Sequence, residues 1–188
     1  MKNPKPITIE PMKFPQDKRE IASWETEFGS KPEFDSIKTY ILENQTYYGL
    51  DEVIETNYEI SPIGSSEQLL SLVAKDDDKI IAWILLDIFD LNTNYPQMYI
   101  PYICIHPLYQ NKGYGTEILK ELLLSPEKYF GFNPRYIFTK IDKTNIASQN
   151  LFKKFGFDFF PIKQTGFVNA YTEEPKLEHN NSPKSFGE

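Results

Sequence analysis

Between Gln97 and Leu124 the chain runs an apolar stretch, QMYIPYICI, into the connection HPLYQNKGYG and out into TEILKELLL. Ile118, Leu119, Leu122 and Leu123 recur at helical spacing, which predicts a helix from Tyr114 to Leu124 with those four residues inward. A strand delivered through a short glycine-bearing turn into an amphipathic helix limits the fold sharply. Each element must bury its apolar face on the other, so the chain is read as a layered α/β domain. Pro101 stands in the middle of the strand and cannot donate to a ladder, so the strand is expected at an edge or bulged there.

The remaining elements extend that pattern. ITIEPMKF, residues 7–14, reads as a first strand, closed by Pro15. Asp17 is expected to cap a helix reaching about Phe28, with Glu20 completing a capping box and Ile21, Trp24 and Phe28 on one face. A second helix is expected from Asp35 or Ser36 to about Asn44, followed by a long loop over residues 47–66. Residues 68–90 form the clearest hairpin, its apolar runs joined by a solvated turn at Asp76-Asp77-Asp78. YIFTKI, residues 136–141, is a strand. Asn145 or Thr144 then caps a helix holding Ile146, Leu151 and Phe152, with Gly156 as its stop. FDFFPI and TGFVNAYT close the sheet, and the polar tail 173–188 is expected to be disordered, leaving one domain over residues 1–172.

Composition narrows the partners. In 188 residues no apolar run approaches the roughly 20 that a membrane span needs, and the N-terminus lacks the apolar core of a signal peptide. A cytoplasmic protein is expected. The one cysteine, Cys104, cannot form a disulfide within the chain and reads as a packing residue. The formal charge of −7, without a block of basic residues, speaks against nucleic acid and suits either a cationic substrate or simple solubility. Two histidines and one cysteine fall short of a zinc site, and three adjacent aspartates do not match a calcium loop. No metal is expected.

The connection Gln110-Asn111-Lys112-Gly113-Tyr114-Gly115 is the chemically distinctive stretch. A helix mouth leaves up to four backbone N–H groups unpaired and carries about half a positive charge, which suits phosphate. Gly113 and Gly115 let the backbone approach a ligand, and Lys112 adds a cation. An ordinary glycine-containing connection accounts for the two glycines equally well. A Walker loop and a dinucleotide fingerprint both fail, the latter because residue 118 is isoleucine.

Q-N-K-G-Y-G resembles the [QR]-x-x-G-x-[GA] signature of the GNAT family of acyl-CoA N-acyltransferases. The run from Asn145 to Phe157, NIASQNLFKKFGF, is similar to that family's N-x-x-A-x-x-L-Y-x-x-x-G-F helix. The resemblance implies a GNAT-like α/β domain: a mixed, mostly antiparallel sheet with flanking helices, whose fourth and fifth strands splay apart to admit the pantetheine arm of acetyl-CoA. Pro101 would sit where that splay is wanted. It also implies an N-acetyltransferase that passes an acetyl group from acetyl-CoA to a primary amine of a small molecule or peptide, by direct attack in a ternary complex. By the same resemblance, Gln110, Asn111, Lys112, Gly113, Tyr114, Gly115 and Thr116 cradle the pyrophosphate. Ile103 and Ile105 flank the arm, Asn145 and Phe152 meet the cofactor, and pairing as a homodimer follows the family's habit.

The chain departs from the family at two positions. Phe152 stands where the family usually offers a tyrosine as general acid, and phenylalanine has no proton to give. Tyr99 stands where one branch keeps a glutamate base; with an ordinary pKa of about 10 it is a poor base at neutral pH and is better suited to orienting a water or the amine, or to packing. Asp87, Asp90 and Tyr102 are further candidates for handling the proton. The alternative these departures keep open is a catalytically impaired GNAT-fold module that binds acetyl-CoA as a ligand or sensor.

Overall fold

The computed structural model describes residues 6–13, 16–24, 68–90, 94–162 and 166–173. The expected helix at 35–44, the loop at 47–66, the continuation of the first helix to Phe28 and the tail beyond 173 lie outside the described residues.

Seven strands form one sheet: β1 (Thr8–Pro11), β2 (Gln68–Asp76), β3 (Lys79–Phe89), β4 (Gln97–Ile105), β5 (Tyr136–Asp142), β6 (Asp158–Pro161) and β7 (Phe167–Thr172). Their spatial order is β1-β2-β3-β4-β5-β7-β6, and every neighbouring pair is antiparallel except β4 with β5. Helix α1 (Gln16–Ser23) follows β1 in the chain. The longer α2 (Tyr114–Leu124), the short α3 (Pro126–Phe130) and α4 (Ile146–Lys153) follow β4 and β5. This is the mixed α/β class that the element order predicts, with the mostly antiparallel sheet that the GNAT resemblance implies.

β3 lies mid-sheet and is apolar on both faces, so Ile80 to Leu86 are all buried. On one face Ile81, Ile84, Leu86, Met98 and Ile100 pack with Ile118, Leu119 and Leu122 of α2 and with Phe152 of α4. The four inward residues of α2 are 0–3% exposed. Full burial of each contributes about 1.5–3 kcal/mol, which is what holds the helix on the sheet. On the opposite face Ile21 and Trp24 cover Val73, Trp83, Leu85 and Cys104.

Three local expectations change. Asp17 lies inside α1, buried, and its Oδ2 accepts from the Lys13 N–H upstream at 2.7 Å. Glu20 does not close a capping box; its Oε1 accepts from the Ile80 N–H at 3.0 Å, a donor at the start of β3. The aspartate turn is not uniformly solvated. Asp77 adopts φ 55 and Asp78 is exposed, but Asp76 is half-buried and accepts from the Tyr114 hydroxyl at 2.9 Å. In α4, Leu151 packs on the core and Phe152 is buried in it, while Ile146 is 57% exposed because it occupies the first turn, beyond the sheet's reach. Gly156 ends that helix as expected: φ is 77, Phe157 N donates to Phe152 O, and Gly156 N to Lys153 O, the two bonds of a Schellman stop.

Candidate functional site

The parting of β4 from β5 is the feature that makes a site. They pair only through Gln97↔Tyr136, Met98↔Ile137 and Tyr99↔Phe138. Beyond that rung β4 stays with β3 as far as Ala82↔Ile105, and β5 stays with β7 as far as Asp142↔Phe167. Each strand keeps one partner, and a gap opens between them. The register with β3 shifts between Leu85↔Tyr102 and Asp87↔Tyr99, so Ile100 and Pro101 together oppose one residue. That is the bulge Pro101 demands.

Backbone phase then decides what faces the gap. His106 N donates to Ile81 O at 2.9 Å, which makes that rung a hydrogen-bonded pair. In an antiparallel ladder such pairs alternate with pairs whose polar groups point away from each other. Ala82↔Ile105 and Ile84↔Ile103 are therefore of the second kind, and the N–H and C=O groups of Ile103 and Ile105 point toward β5. The Ile105 carbonyl is partly claimed, since Gln110 Nε2 donates to it at 2.9 Å.

The connection itself is built to hold a helix mouth open. Pro107–Tyr109 form a 3-10 turn, Asn111 takes φ 59 and Gly113 takes φ 90 at the N-cap of α2, with no side chain capping the helix. Thr116 N and Glu117 N both donate to Gly113 O, so they are spent inside the helix. Among the described residues, the amides of Lys112, Gly113, Tyr114 and Gly115 meet no acceptor. A Cβ on Gly115 would stand 3.2 Å from Ile105 Cδ1 and 3.4 Å from Leu151 Cδ2, so this glycine lets α2 start close against both β4 and α4. Lys112 is exposed and rests its ammonium 5.3 Å from the Tyr109 ring centre. Tyr114 contributes backbone only: its ring is 6% exposed, and burial, then the hydrogen bond to Asp76, pushes its hydroxyl up to about 12.

The sequence pattern of the Acetyltransferase (GNAT) family matches residues 31–157. The chain belongs to that family. Solved GNAT structures share its fold. PaiA N-acetyltransferase from Thermoplasma acidophilum, in complex with coenzyme A, superposes with a TM-score of 0.60 at 18% identity, covering 90% of this chain and 99% of that one. PseH N-acetyltransferase from Campylobacter jejuni, in complex with acetyl coenzyme A, gives 0.55 at 15% identity over 89% and 98%. The ribosomal-protein-S18-alanine N-acetyltransferase from Escherichia coli gives 0.53 at 15% over 93% and 97%. At these identities the likeness is one of fold. No curated protein sequence matches the chain.

The remaining GNAT candidates divide by location. Tyr99 is half-buried on the last rung before the gap, directly opposite Asp87 on β3 and stacked on Phe138 of β5 at 5.0 Å. Tyr102 stacks on Trp83, and Asp90 accepts from Gln97 Nε2 at 2.7 Å. Asn145 is exposed and caps α4, its Oδ1 accepting from Ser148 N at 3.0 Å, a bond that does not use its two Nδ2 donors. Phe152 is 4% exposed and packs edge-on against Phe157 at 4.9 Å, as part of the core. Sequence reading missed Thr139, a buried hydroxyl at the point where the gap begins, which donates to Ile100 O at 2.8 Å. The sequence signal was a lone hydroxyl alternating with Ile137 and Ile141 in YIFTKI, which marks the residue but not its partner.

Proposed function

We propose that the chain transfers an acetyl group from acetyl-CoA to a primary amine. The observation that carries this is the parting of β4 and β5 after the Tyr99↔Phe138 rung, beside a helix mouth whose first amides are unclaimed. The residues present fit acetyl-CoA. The amides of Lys112 to Gly115 and the positive end of α2 suit a pyrophosphate, Gly113 gives the backbone the required turn, and Lys112 and Asn145 add donors. The inward polar groups of Ile103 and Ile105 suit an arm lying in the gap. Acetyl-CoA supplies the acetyl group already activated as a thioester.

The chain's own residues supply placement and charge stabilisation. The Ile103 N–H is directed to donate to the oxygen on which negative charge develops as an amine attacks. A fixed donor of this kind contributes roughly 3–4 kcal/mol to transition-state stabilisation. Tyr99, with Asp87 across the ladder, sits where a hydroxyl can orient the amine or a water that takes its proton. Phe152, buried and without a hydroxyl, supplies no acid, so the leaving thiolate is protonated from water.

The acceptor is proposed to be a small-molecule or peptide amine, and the chain's −7 charge favours a cationic one. Among the described residues no helix is long and apolar enough to cross a membrane, and no group of side chains is arranged to hold a metal ion. The buried Phe152 also favours a second reading, in which acetyl-CoA is bound without turnover. An assay of thiol release from acetyl-CoA with spermidine, an aminoglycoside and a peptide α-amine separates the two. Amine-dependent release supports transfer; tight binding with no release from any of the three supports the binding module.

A further inference from the structure

Ile100↔Thr139 would be the next rung of the parallel pair, and there the ladder gives way to a side chain. Thr139 Oγ1 donates to the Ile100 carbonyl at 2.8 Å, and the two residues are 4% and 1% exposed. A buried carbonyl needs a donor. Here the donor comes from the tip of a side chain, so the two backbones meet this need while standing further apart than a ladder allows. The same carbonyl belongs to the bulged pair Ile100-Pro101, three residues before Ile103.

We infer that Thr139 is a positioning residue: its hydroxyl fixes where β4 and β5 part and how wide the gap begins, and thereby places the Ile103 N–H. This rests on the proposed binding of acetyl-CoA. A hydroxyl-free side chain removes this donor from a buried carbonyl, and the bulge then rotates or the strands close up to replace it. Either change alters the slot for the pantetheine arm. The phosphate cradle is built from Lys112 to Gly115 on another element, and it does not feel the change.

The test compares two probes on the full chain: CoA, and 3′-phosphoadenosine 5′-diphosphate, which keeps the phosphates and lacks the arm. Thr139→Val is expected to weaken CoA binding about tenfold while leaving the arm-less probe within about twofold, and Thr139→Ser restores CoA affinity. Thr139→Ala, which cannot clash with its neighbours, carries the same expectation should the valine variant fold poorly. The inference is overturned if the hydroxyl-free variants change both probes equally or neither, or if serine fails to restore. If the unaltered chain binds neither probe, the acetyl-CoA reading falls first; if it binds both and the variants do not discriminate, this inference falls alone.

Discussion

Tyr99 and Phe138 share the last rung between β4 and β5, and their rings stack at 5.0 Å with 19° between planes. The stack lays apolar surface at the closed end of the gap, and the hydroxyl plays no part in the ring contact. Ring and hydroxyl are therefore separable by mutation. Tyr99→Phe keeps a stacking contribution of about 0.5–1.5 kcal/mol, so the melting temperature is expected to hold. Amine-dependent thiol release is expected to fall about a hundredfold, the low end for a group that handles a proton. Unchanged turnover would assign Tyr99 to packing alone.

Gly113 holds φ 90 at the N-cap of α2, a conformation that a Cβ disfavours by about 1–2 kcal/mol. Gly113→Val is expected to lower stability by about that amount and to abolish measurable CoA binding by calorimetry, because the backbone is forced out of the turn that presents the amides. Retained CoA affinity in a folded variant would show that the turn is an ordinary connection.

Asn145 has two roles that a single substitution separates. Asn145→Asp keeps the oxygen that accepts from Ser148 N, and aspartate caps as well as asparagine does, so stability is expected to stay within about 0.5 kcal/mol. It also removes the Nδ2 donors and adds a negative charge. CoA affinity is expected to fall at least fivefold; an unchanged affinity would confine Asn145 to its helix.

Tyr114 titrates near 12 in the folded chain, above its ordinary value of 10, because burial and the bond to Asp76 favour the protonated hydroxyl. The stability this brings is complete below pH 10 and is lost as the pH rises from 10 through 12. Tyr114→Phe has no such proton. Its urea midpoint is expected to decline less steeply than the wild type's between pH 10 and 12, and parallel declines would contradict the assignment.

The strand-turn-helix of residues 97–124 was readable because each piece carries its own local signal: a strand run, glycines that permit the turn, and four leucines and isoleucines at helical spacing. β4 and α2 occupy the expected residues. Pro101 also located the bulge, since a missing N–H has few other places in a sheet. What escaped depends on partners distant in the chain. Glu20 looks like half of a capping box until β3 presents the Ile80 amide, 60 residues away in sequence. Asp76 reads as turn solvent until Tyr114 arrives from α2. Thr139 gives no sign of its bond to Ile100, because nothing in a sequence tells which rung of a parallel pair will be the last.

The most direct test is calorimetric titration of the full chain with acetyl-CoA, beside CoA and ATP. The account predicts micromolar binding of both CoA forms and far weaker binding of ATP, which has phosphates for the cradle but neither the 3′-phosphate nor the arm proposed to lie between β4 and β5. Failure of either CoA form to bind would contradict it.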